Sequence, residues 1–135
     1  MIHEPNEEEL TRLVREAMGP NFGQFKPHVI YNEQLDWIEV LTADCSVCEI
    51  FVTDMLSLHE RNHREGDESK YVGFHVECAR RFCRSYGLPD TGKVRVSDIL
   101  MRLSAVDETT SRAIRDVALP TLREFELDFV EFPTA

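Results

Sequence analysis

A chain of 135 residues, 42% apolar and 30% charged, is long enough to bury one hydrophobic core and too apolar to be intrinsically disordered. Its net charge of −10 excludes general nucleic-acid binding, because an acidic surface repels phosphates. No apolar run approaches the roughly 20 residues of a membrane-spanning helix, and the acidic start Met1 to Glu9 has neither the basic region nor the apolar core of a signal peptide. The expectation is a single cytoplasmic domain over residues 1–135, with reduced thiols and no membrane contact.

In chain order, Asn6 to Met18 reads as a helix. Asn6 is placed to cap it, Glu7 to Glu9 suit the positive end of its dipole, and Gly19-Pro20 stops it. Leu10, Leu13, Val14 and Ala17 form its apolar stripe. A hairpin follows: His28 to Tyr31, the polar turn Asn32-Glu33-Gln34, then Leu35 to Leu41.

Cys45 to Gly87 supports two readings. Ser46-x-x-Glu49 has the form of a helical capping box, and Gly66 is placed to end a helix. Against this, Ile50 to Thr53 is β-rich, Leu56 and Leu58 alternate with Ser57 and His59, and Val72, Phe74 and Val76 alternate with Tyr71, Gly73 and His75. After Cys78, Ala79, Phe82, Cys83 and Tyr86 share a helical face that Gly87 and Pro89 end. Lys93 to Val96 reads as a short strand, and Ser97 as the cap of a helix carrying Ile99, Leu100 and Leu103. Asp107 caps a longer helix that Pro120 should kink or split, and Leu127 to Phe132 alternates as a last strand.

The segments Tyr31-Asn32-Glu33-Gln34-Leu35-Asp36-Trp37-Ile38-Glu39-Val40, Val52 to Leu58 and Tyr71-Val72-Gly73-Phe74-His75-Val76 together resemble a family of small uncharacterised bacterial domains. The family pattern is Y-D-x3-D-x-[LI]-x-[IV], a middle strand, then V-G-[IF]-x-[IV]; the resemblance covers roughly residues 31–81. Asn32 stands where the pattern has Asp, and the polar turn Glu60 to Lys70 is longer than the pattern has. The resemblance implies a β-meander and no assigned activity. It favours the strand reading and an α+β fold: an antiparallel meander from His28 to Glu77, covered by helices from the N- and C-terminal segments.

Two metal signatures overlap between Cys45 and His63. His59-Glu60-Arg61-Asn62-His63 matches H-E-x-x-H, which needs a helix to aim two imidazoles at one zinc with the glutamate as general base. In the strand reading that geometry is lost. Cys45 and Cys48 with His59 and His63 match a zinc finger poorly, since ten residues separate Cys48 from His59 and the domain lacks positive charge. A chain reversal near Gly66 instead brings Cys45 and Cys48 toward Cys78 and Cys83, four thiols that could hold zinc tetrahedrally. The competing reading makes the cysteines small buried hydrophobes. His75 faces away from Val72, Phe74 and Val76 and is expected to be solvated. Glu39, Asp44 and Glu49 are too scattered in sequence to argue as a pair.

The expected role is a non-enzymatic protein-binding or regulatory module whose partner is another protein or a second copy, because a short meander leaves edge strands to cover. Trp37, Tyr71, Arg80, Arg81 and Arg84 are the contact candidates. The alternatives are zinc binding by the four cysteines and, last, a metal-dependent hydrolase using His59, Glu60 and His63.

Overall fold

The computed structural model describes residues 6–18 and 25–134, and the side chains of 14–18 are not among the described groups. The expected Gly19-Pro20 stop and the side chains of Val14 and Ala17 therefore lie outside the described residues. Helix α1 spans Glu7–Met18, and its first turn is closed by the Glu9 amide donating to Asn6 Oδ1 at 2.8 Å. Leu10 and Leu13 are each about half exposed. Among the described residues, no helix is long and apolar enough to cross a membrane.

The fold is α+β, as the alternation implies. Strands β1 (His28–Asn32), β2 (Trp37–Leu41), β3 (Val47–Phe51), β4 (Leu56–Arg61) and β5 (Tyr71–Val76) form one antiparallel sheet in the order β1-β2-β5-β4-β3. β3, β4 and β5 run as a meander, and the β1–β2 hairpin joins it through β2–β5 pairing. Cys45 to Val76 is therefore strand and loop, and the capping-box reading of Ser46 to Glu49 fails because Val47–Phe51 is extended.

One sheet face carries Ile38, Val40, Leu56, Leu58, Phe74 and Val76, all buried in a single core with side chains from the later helices. Helix α2 (Ala79–Ser85) contributes Ala79, Phe82 and Cys83. The hairpin of β6 (Gly92–Arg95) and β7 (Phe129–Phe132) contributes Val94, Val130 and Phe132, with Phe132 edge-on to Tyr31 at 4.8 Å. Helix α3 (Val96–Leu103) buries Val96, Ile99, Leu100 and Leu103. Ser97 lies inside α3 rather than capping it: its amide and hydroxyl both donate to the carboxylate of Asp128, which satisfies the helix start from across the chain.

The last helical segment is capped by Asp107, whose Oδ1 accepts from the Thr110 amide at 2.7 Å. It runs as α4 (Glu108–Ala113), a π-helical turn (Ile114–Ala118) and α5 (Leu119–Phe125). Pro120 has no N–H to offer the preceding turn, and the wider π turn just before it absorbs the mismatch expected there.

Candidate metal centre

The face of the sheet opposite the core gathers polar groups because strand side chains alternate. Glu49 on β3 stands opposite His59 on β4, and Glu39 on β2 stands opposite His75 on β5. Flanking ladder bonds show that both pairs are of the non-hydrogen-bonded kind, in which cross-strand side chains approach most closely. The Asn62 amide donates to the Ser46 carbonyl, and the Thr42 amide to the Val72 carbonyl, which sets the alternation on each ladder.

The β4–β5 register brings the two histidines together: Ser57 pairs with His75, so His59, two residues on, is the diagonal neighbour of His75 on the same face, and a register shift follows. Leu58 pairs with Phe74 but Glu60 pairs with Tyr71, so two residues of β5, Val72 and Gly73, stand opposite His59 alone. Gly73 has φ +150°, and a Cβ there would lie 1.9 Å from the Val40 carbonyl oxygen. Only glycine lets β2 and β5 approach at this bulge.

His59 and His75 are 3% and 2% exposed, with ring centroids 5.4 Å apart. Glu49 Oε1 lies 3.5 Å from His75 Nδ1, and Glu39 Oε1 lies 3.7 Å from His59 Nε2. One ligand atom from each of Glu49, His59 and His75 falls within 4.8 Å of the other two, and among the described residues no other such group of histidine, cysteine or acidic side chains occurs. Both ring nitrogens of His59 are buried without a hydrogen-bond partner. Burial, and then the neighbouring His75, push the His59 pKa below its ordinary 6.5, which keeps the imidazole neutral. Trp37 stacks flat on His75 at 4.5 Å with an interplanar angle of 10°.

This centre corrects several expectations. His75 is buried under Trp37 rather than solvated, and Glu39 and Glu49 are brought to one site by strand pairing. His59 lies within β4, Glu60 points to the other face, and His63 is exposed beyond the strand end, so H-E-x-x-H forms no site. The four cysteines do not converge. Cys48 stands level with Glu60 and Tyr71, whereas Cys78 lies beyond Val76 at the far end of β5, roughly 20 Å along the strands at ~3.4 Å per residue. Cys48 Sγ donates to Asn62 Oδ1 at 2.7 Å, Cys45 is half-buried before β3, and Cys78 is exposed. Cys83 sits in the core, where burial raises its thiol pKa to about 11.

The contact candidates also separate. Trp37 is occupied by His75, and Tyr71 packs against the core. Arg80 ties the chain together by donating to the carbonyls of Asp90 (2.7 Å) and Pro133 (3.0 Å). Arg84 pairs with Asp90, and Arg81 is exposed. Comparison with protein-family models, curated proteins and solved structures finds no match to this chain.

Proposed function

We propose that the protein binds one divalent transition-metal ion through Glu49, His59 and His75. The observation that carries this reading is His59, a buried imidazole with neither nitrogen hydrogen-bonded, beside a second histidine and a carboxylate. Leaving such a group unsatisfied costs on the order of 1–3 kcal/mol, and coordination removes that cost. Two imidazoles and one carboxylate suit zinc, iron, nickel or copper better than calcium or magnesium, which prefer all-oxygen shells. The ligand atoms need to close to about 3.3 Å around a tetrahedral ion with ~2.0–2.1 Å bonds. Glu49, whose side chain is 57% exposed, can turn toward an ion at the two imidazoles, whose rings must also adjust to close on it.

Glu39 is the natural fourth group, either as a ligand or as the acceptor that orients His59. The role proposed for the centre is metal binding. The test is elemental analysis of the full chain purified with zinc and then dialysed. One ion per chain is expected in a variant with Cys45, Cys48 and Cys78 all changed to serine, and loss of that ion in His59→Gln. An ion retained by His59→Gln but lost from the cysteine variant contradicts the assignment.

A further inference from the structure

We propose that the metal centre controls pairing of strand β3 with β3 of a second copy of the chain; this rests on the metal-binding reading above. β3 is the terminal strand of the sheet and Cys48, Glu49, Ile50 and Phe51 are all exposed, Phe51 by 69%. The Asn62 amide donates to Ser46 and the Val52 amide to Leu56, each at 3.0 Å. By antiparallel alternation, Cys48 and Ile50 turn their backbone groups toward β4. Val47, Glu49 and Phe51 turn theirs away from the sheet, where they make no hydrogen bond to any described residue.

A bare edge of this kind is a template for another strand, and proteins ordinarily blunt one with proline, lysine or an inconvenient charge. Val47-Cys48-Glu49-Ile50-Phe51 holds no proline and no lysine. Its only charge is Glu49, at its centre.

That position decides what the edge accepts. Two copies of β3 paired antiparallel about a two-fold axis at Glu49 match Val47 with Phe51 twice and Cys48 with Ile50 twice, apolar against apolar. The single unfavourable pair is Glu49 against Glu49, two carboxylates on one face at adjacent strand positions, and like charges directly opposite oppose pairing. The chain's net charge of −10 adds to that repulsion. Glu49 is also the carboxylate of the metal centre. A divalent ion held by Glu49, His59 and His75, with the Glu39 carboxylate 3.7 Å from His59, is balanced by those two carboxylates and neutralises the charge that guards the edge. The metal-free chain is thereby held monomeric and the loaded chain is free to pair. The partner is a second copy because the self-matched sequence needs no other strand.

The experiment is sedimentation of the full chain under reducing conditions, in the Cys45→Ser, Cys48→Ser, Cys78→Ser background, with chelator or with one equivalent of zinc. The wild-type edge should be monomeric with chelator and dimeric with zinc, with self-association tightened at least about tenfold. Glu49→Gln should dimerise in chelator, because the guard charge is gone. Phe51→Lys should bind zinc at unchanged stoichiometry, measured by elemental analysis, and stay monomeric. Zinc bound by a chain that stays monomeric overturns this inference and leaves the metal reading intact. A zinc dimer that survives Phe51→Lys uses another surface and also overturns it. No zinc uptake by the wild-type edge overturns both.

Discussion

At the scale of single residues, Asp36 and Tyr31 show how a loop is tied to a distant helix. Asp36 adopts φ +55° in the β1–β2 turn, where its carboxylate accepts from the Arg80 amide (2.7 Å) and the Arg81 amide (3.2 Å), and its carbonyl accepts from Ala79. It caps α2 across more than 40 residues of chain, a task Cys78 at the helix start has no side chain to perform. The Tyr31 hydroxyl donates to the same carboxylate at 2.7 Å. Burial first, then that hydrogen bond and the charge of Asp36, raise the Tyr31 pKa from 10.0 to about 12. The native state therefore holds the phenol proton more tightly than the unfolded chain does. Its contribution is complete below pH 10 and is lost as pH rises toward 12. Denaturant unfolding of the wild type should fall off more steeply between those limits than that of Tyr31→Phe. Equal slopes would remove the Tyr31–Asp36 bond from the account. Tyr31 and Asp36 are the tyrosine and the second aspartate of the sequence pattern noted in that hairpin, but nothing in the spacing indicated that they hold α2.

At the scale of elements, the registers of β2, β3 and β4 against their neighbours build the centre. Gly73 permits β2 to close on β5, and the pairing of Ser57 with His75 sets His59 diagonal to His75 on one face. Gly73→Ala drives a Cβ into the Val40 carbonyl and should cost at least about 2 kcal/mol of stability by chemical denaturation. It should also weaken metal binding in whatever fraction remains folded. Alanine tolerated at no cost would mean that the approach of β2 to β5 is looser than described. The strands themselves were legible from the alternation of Leu56 and Leu58 and of Phe74 and Val76. Their order was not. Period-two patterning gives each strand a face but no neighbour, and only the pairing of β2 with β5 sets Glu39 beside His75. The cysteine expectation failed for a related reason. The reversal near Gly66 is real, but it joins β4 to β5; a second reversal between Phe51 and Leu56 carries Cys48 back to the level of Glu60.

At the scale of the whole molecule, the fold separates two jobs by the two faces of one sheet. The core face and the helices supply stability, while the opposite face gathers the polar side chains of the proposed site. Alternation assigns His75 to that face, and a face directed away from the core is expected to be wet. Trp37, diagonal to His75 across the β2–β5 ladder, covers it.

The same contact gives the most direct test of the metal centre, since Trp37 is the chain's only tryptophan. Nickel(II) should be titrated into the full chain in the background lacking Cys45, Cys48 and Cys78, with tryptophan fluorescence as the readout. An ion bound at His75, against the stacked indole, is expected to quench the emission in a saturable curve ending at one equivalent. The curve should be abolished by His59→Gln and by His75→Gln alike. Emission that never saturates, or saturable quenching that both histidine variants retain, would contradict a site formed by Glu49, His59 and His75.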